Sequence, residues 1–291
     1  MASWVHGYWS TEEGLRLHYR DYPGPQGGVG ADPPIICIPG LTRNARDFEA
    51  VAGRLAQDRR VICVELRGRG ESAYARDPAT YNPATYIADL EALIAELALD
   101  RFVLFGTSLG GIVTAGLAVR DARRIAGALI NDIGPVIDPR GIERIRGIVG
   151  RSQSWPTWLH AARHFAESQA AIYPKWTVHE WLVHAKRLCR LNASGRIIAD
   201  YDMRIAEPFK GAAPPTDADF TPLFDALRGV PTLIVRGALS DILSAQTLEA
   251  MLRSNPAAEG VTVPAVGHTP TLEEAPVAEA IDRLLARARE A

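Results

Sequence analysis

Ser108 lies between Gly106 and Gly110 in the stretch FGTSLGG, and its flanks bear on what its hydroxyl can do. Phe102–Phe105 is a short apolar run that predicts a buried strand. Leu109–Arg120 is an apolar stretch of helical length. A serine on the tight turn between strand and helix sits on a strained elbow with its Oγ exposed above the sheet. The flanking glycines then have a physical reason, since a side chain at either place would crowd so sharp a turn.

A serine hydroxyl is a poor nucleophile at neutral pH and needs a hydrogen-bonded base, itself oriented by an acid. The chain has seven histidines. His6 and His18 fall in the N-terminal edge region. His160, His164, His179 and His184 fall in a helical stretch, where solvated or core-packing roles are expected. His268, in PAVGHTPTLEEAP, stands apart because it follows the last predicted strand and is flanked by Gly267 and turn residues. Loops at the carboxyl ends of parallel strands form the functional rim of such sheets. For the acid, Asp241 in LIVRGALSDIL lies just past the strand predicted at 231–237, and we expect it to orient His268. Asp132 in LINDIGP, after the preceding strand, is its rival. Asp241 also has a structural reading, as the cap of a helix starting near Leu243. Such a set can carry acyl transfer through a covalent serine intermediate.

These residues need a scaffold. LRLHYRDY alternates apolar and polar residues as a half-exposed strand does. A Gly/Pro-rich loop, GPQGGVGADPP, follows it. IICI (35–38) and VICV (61–64) are continuous apolar runs, as parallel strands covered on both faces should be. Asn44–Gln57 and YIADLEALIAELAL (86–99) carry helical periodicity. IAGALIND (125–132), PTLIVRG (231–237) and EGVTVPAV (259–266) read as further buried strands. The alternation predicts an α/β fold, a mostly parallel sheet of about eight strands flanked by helices and antiparallel at its first edge.

The rhythm breaks between 132 and 231, where no buried strand is evident. GIERIRGIVG and VHEWLVHAKRLCRL there have helical spacing, and a structureless loop of that length is improbable on physical grounds. We expect a helical insertion over 136–215, leaving 1–135 and 216–291 as the core domain, with FKGAAPPTDADFTP as the exit linker. The insertion holds four of the six tryptophans, Trp155, Trp158, Trp176 and Trp181. Each is individually better suited to packing the insertion, though one or two could wall a pocket beside Ser108.

Composition narrows the function classes. With 32 Lys and Arg against 34 Asp and Glu, the net charge of −2 favours neither nucleic acid nor anionic membrane as a partner. Cys37, Cys63 and Cys189 are widely spaced, with no CxxC and no Cys/His cluster, so neither a disulfide framework nor a metal site is expected. MASWVHGYWS lacks a basic region followed by an apolar one, and no apolar stretch reaches membrane-spanning length. The expectation is a cytosolic globular protein acting on a small molecule.

In combination these features resemble the α/β-hydrolase fold serine hydrolases over nearly the whole chain. GTSLGG is similar to that family's nucleophile elbow. ELRGRGES (65–72) resembles its DxRGxGxS turn, with Glu65 where aspartate is usual, and IPGL (38–41) stands where a His-Gly pair is typical, with Pro39 replacing the histidine. The resemblance implies the chain order Ser108, Asp241, His268, a helical cap at 136–215, and no metal or organic cofactor. It also implies an oxyanion hole formed by the backbone N–H groups of Leu109 and Leu41, with Thr42 as the alternative to Leu41. A serine at the elbow argues against the haloalkane dehalogenases and epoxide hydrolases of this fold, which use aspartate there. The expected reaction is hydrolysis of a small to medium, largely apolar ester or lactone. The alternative within the family is carbon–carbon bond hydrolysis of ring-cleavage products, whose carboxylate Arg43 or a cap arginine could hold. A non-catalytic ligand-binding protein on the same scaffold is the reading from a different class.

Overall fold

The computed structural model describes residues 3–25, 32–209 and 220–290. The expected loop at 24–34 and exit linker at 209–222 lie in large part outside the described residues. The chain opens with β1 (Val5–Ser10) and β2 (Arg16–Tyr22), followed by β3 (Ile35–Ile38). A short 3-10 turn, Ala45–Phe48, leads into α1 (Glu49–Leu55), so the helix expected from Asn44 is split in two. Then come β4 (Val61–Glu65), α2 (Pro83–Glu96), β5 (Phe102–Thr107), α3 (Leu109–Asp121) and β6 (Ile125–Asn131).

Past β6 the chain leaves the sheet to form α4 (Pro139–Ile148), β7 (Ser154–Trp155), α5 (Trp158–Gln169), α6 (Val178–Leu188), β8 (Cys189–Leu191) and β9 (Ile197–Ala199). It returns through α7 (Thr221–Asp225) to β10 (Thr232–Gly237), α8 (Ala245–Ser254), β11 (Ala258–Val263) and α9 (Ala275–Glu290).

The main sheet has eight strands in the order β1-β2-β4-β3-β5-β6-β10-β11. β1 pairs antiparallel with β2, and β2 with β4; the remaining pairs are parallel. Every residue of β3 to β6 is buried, as the unbroken apolar runs predict. The two-residue period then divides the side chains between two cores. Ile36, Ile38 and Leu104 join Leu90 and Leu93 of α2 and Val113 of α3 on one face. Ile35, Cys37, Val103 and Phe105 join Val51 and Leu55 of α1 and Ile281 and Leu284 of α9 on the other.

Further features depart from expectation: β11, at the far edge of the sheet, ends at Val263 and only that residue of it is buried. WVHGYWS supplies the edge strand β1, whose Val5 and His6 are exposed, so it lacks a clean apolar alternation. The excursion after β6 carries a small antiparallel sheet, β7-β9-β8, beside its helices, formed from strands of two or three residues that are too short to show periodicity. Among the described residues no helix is long and apolar enough to cross a membrane.

Candidate active site

The turn from β5 into α3 depends on its glycines. A Cβ on Gly106 would lie 2.3 Å from the carbonyl oxygen of Gly110, and one on Gly110 would lie 2.1 Å from that of Ile38. Backbone packs on backbone at both places, so no side chain fits. Ser108 between them has φ 52° and ψ −115°, a conformation that L residues rarely adopt. Its N–H donates to the Asn131 carbonyl at 2.9 Å, tying the elbow to the end of β6.

Ser108 Oγ is 2.9 Å from His268 Nε2, and His268 Nδ1 is 2.8 Å from Asp132 Oδ2. The expected pairing of His268 with Asp241 is therefore corrected: Asp132 occupies that position. Asp132 is fully buried at the end of β6, with φ 57°. Its Oδ1 accepts from the Gly237 N–H at 2.8 Å, and its Oδ2 also accepts from the Ser240 hydroxyl at 2.6 Å. These two donors hold the carboxylate against the imidazole. Ser240 also accepts from the N–H groups of Ile242 and Leu243, bracing this turn, whereas the cap of α8 suggested for Asp241 is supplied by Ser244, which accepts from the Thr247 N–H at 2.9 Å.

Asp241 faces the other way. Arg144 of α4 donates to its two carboxylate oxygens from Nε and Nη2 at 2.5 and 2.7 Å. Burial opposes the charge on Asp241, but the hydrogen bonds and charge of Arg144 outweigh it and hold the carboxyl below its usual range. A Cβ on Gly141 would lie 2.3 Å from the Asp241 carbonyl oxygen, so α4 rests directly on this turn.

The His268 loop is held by residues the sequence did not single out. The Gly267 N–H donates to the Ile172 carbonyl at 2.7 Å, the Tyr173 hydroxyl to the Thr269 carbonyl at 2.6 Å, and Asn131 Nδ2 to the Pro270 carbonyl at 2.9 Å. Burial pushes the Tyr173 phenol up to about 12, so it remains a donor. Opposite the elbow, the Arg43 N–H donates to the Gly40 carbonyl, closing a turn whose tip is Leu41 and Thr42. Buried Arg69, from the RGRGES turn, fixes that tip by donating to the Leu41 carbonyl from Nε and Nη2 at 2.9 and 2.7 Å. Glu65 is also buried, accepting from the Glu71 N–H at 2.6 Å and pairing with His18 Nδ1 at 2.9 Å. Leu109 is the first residue of α3, where an amide has no carbonyl of its own helix to reach.

A pocket of about 130 Å³ opens on Ser108 and His268. Leu41, Thr42 and Arg43 line one side, and Arg144, Ile145 and Ile148 of α4 with Val149 just past its end another, with Ile172, Tyr173 and His184 completing it. None of the four tryptophans lines it, which corrects that expectation. Trp181 is buried with Tyr173 and Ile197 in a separate core, against which Trp155, Trp158 and Trp176 pack. Their large apolar area holds the excursion together.

Seen chemically, the serine hydroxyl can donate to a neutral imidazole whose other nitrogen donates to a buried carboxylate, the arrangement that makes serine nucleophilic. No group of three or more His, Cys, Asp or Glu side chains able to hold a metal ion occurs among the described residues.

The sequence pattern of the alpha/beta hydrolase family matches residues 35–282. Over 264 residues, 88% of each chain, the protein is 33% identical to a 3-hydroxybutyrate-oligomer hydrolase of Cupriavidus necator. It is 26% identical over 241 residues, 82% of each chain, to a 2-(acetamidomethylene)succinate hydrolase of Mesorhizobium japonicum. The crystal structure of an alpha/beta hydrolase from Novosphingobium aromaticivorans superposes with a TM-score of 0.92 at 53% identity, covering 99% of both chains.

Proposed function

The chain belongs to the alpha/beta hydrolase family, and from that premise we propose that it hydrolyses small to medium carboxylic esters through an acyl-enzyme on Ser108. The observation that carries this reading is the hydrogen bonding of His268, 2.9 Å from Ser108 Oγ on one side and 2.8 Å from Asp132 on the other. His268 Nε2 takes the hydroxyl proton as Oγ attacks the ester carbonyl, and Asp132 stabilises the imidazolium that forms. The backbone N–H groups of Leu109 and Leu41 receive the oxyanion, the second held in place by Arg69. Collapse of the tetrahedral intermediate breaks the ester C–O bond, and His268 returns the proton to the leaving alkoxide. Water, deprotonated by His268, then attacks the acyl-enzyme and releases the acid.

Residues 136–215 act as the cap in this reading. α4 and the residue after it supply the apolar wall of Ile145, Ile148 and Val149, and the anchor of α4 is the Arg144–Asp241 pair. The named substrate of the Cupriavidus necator relative, an oligomer of 3-hydroxybutyrate, supports an ester as the scissile group. The test is a panel of simple esters, lactones and a dienoate ring-cleavage product, with active-site labelling by a fluorophosphonate. Ester turnover abolished by Ser108 labelling is the expected result. Turnover of the dienoate without any ester turnover would transfer the assignment to carbon–carbon bond hydrolysis. Labelling at Ser108 with no turnover of any panel member would leave the ester assignment without support.

A further inference from the structure

Three cavities run in series from Ser108 toward the surface. The pocket on Ser108 shares Arg43, Thr107, Tyr173, His184 and Thr269 with a cavity of about 20 Å³ behind it. That cavity shares His184, Arg187 and Thr271 with an outer one of about 260 Å³. The middle cavity has room for a single water-sized group. Two buried polar atoms among its lining residues have no hydrogen-bond partner, Nε2 of His184 and Oδ1 of Asn131.

His184 is 3% exposed and is surrounded by the rings of Phe165, Tyr173, Trp176 and Trp181, with centroids 5.3 to 5.8 Å away. Burial, reinforced by the charges of Arg43 and Arg187, holds its pKa well below that of an ordinary histidine. It is therefore a neutral imidazole, with one N–H to give, in a positive field. Arg43 is close to the reacting serine: a Cβ on Gly40 would lie 3.3 Å from Arg43 Cγ and 3.7 Å from Ser108 Cβ. Asp47 accepts from Arg43 Nε and Nη2 at 2.5 and 2.8 Å, which steers the guanidinium and leaves its other edge with donors to offer. Asp47 itself lines the middle cavity but not the pocket on Ser108, and Glu273 is taken up by Arg187 at 2.7 Å.

We propose that Arg43 and His184 form a carboxylate subsite, so that the enzyme selects esters carrying a free carboxyl group a few bonds from the scissile carbonyl. Half-esters of dicarboxylic acids and acid-terminated oligoesters of hydroxy acids have this chemistry. The guanidinium contributes a hydrogen bond in which both partners are charged, and the imidazole one in which only the carboxylate is. A neutral ester leaves a buried donor unmatched, which is where the discrimination arises. The proposal rests on the ester-hydrolase reading above.

Monomethyl glutarate and methyl pentanoate, matched in chain length, separate the two ideas when methanol release is measured. The wild-type protein is expected to favour the half-ester in kcat/KM by roughly 10-fold or more, and Arg43→Met and His184→Phe to erase most of that preference. A wild-type ratio at or below one, or a ratio unchanged in folded Arg43→Met, overturns the subsite. Should a variant not fold, inhibition of wild-type methyl pentanoate turnover by glutarate, set against neutral glutaramide, decides the matter, and equal inhibition overturns it. If neither ester is hydrolysed, the ester reading fails on its own. Calorimetric titration with the same pair of inhibitors then still tests the subsite, which stands only if glutarate binds more tightly.

Discussion

His268 Nδ1 and Asp132 Oδ2 are 2.8 Å apart across 136 positions of the chain, and the carboxylate is completely buried. Asp241, the nearer acid in sequence, is instead engaged with Arg144. Asp132→Asn is therefore expected to lower kcat by about 10³- to 10⁴-fold, through loss of the correct imidazole tautomer and of imidazolium stabilisation. Asp241→Asn should cost about 10-fold or less, since it disturbs only the seating of α4. Steady-state kinetics on both folded variants check this, and a larger loss in Asp241→Asn would return the role to that residue.

Ser108→Ala should fold like the wild type and lose turnover on the order of 10⁴-fold or more, because the three groups act as a unit. Its hydroxyl makes no side-chain cap for α3, so little stability depends on it. Thermal unfolding beside kcat is the measurement. Near wild-type turnover by the folded variant would remove Ser108 from the chemistry.

The pocket wall formed by α4 yields a contrast between two groups of large apolar residues. Ile145→Ala and Ile148→Ala should reorder preference among acyl chain lengths by roughly 10-fold, the effect of lost methylene contacts in a binding pocket. Trp155→Ala and Trp158→Ala should lower stability while leaving that ranking in place, since neither ring reaches the pocket. Competition assays with a homologous ester series distinguish the two classes. A reordered ranking in the tryptophan variants would mean that their packing reaches the site indirectly.

The Arg144–Asp241 pair should show itself in acid stability. An acid whose pKa is depressed on folding contributes stability that is complete above its unfolded value and lost as pH falls through its folded one. The melting temperature of the wild type should therefore exceed that of Asp241→Asn at neutral pH. The gap should close as pH falls from about 4 downward. A gap that stays constant over that range would mean that Asp241 stabilises α4 by packing alone.

What the sequence determined by itself was local or periodic. The elbow at Ser108 was legible because glycine spacing, a buried strand and an apolar helix all fall within twenty residues of one another. The central parallel strands were legible because burial on both faces demands unbroken apolar runs, and β3 to β6 supply them. His268 stood out as the histidine just past the last strand. The acid was different. Asp132 and Asp241 both follow a sheet strand, and both fall between Ser108 and His268 in chain order, so neither position nor order distinguishes them. Only tertiary structure decides, because the direction of each carboxylate depends on partners distant in sequence: Gly237, Ser240 and His268 for one, Arg144 for the other. The tryptophans raise the same difficulty. Their composition predicts a large buried apolar surface but not which surface it meets, and packing within the excursion places them in its own core while the pocket takes its wall from α4.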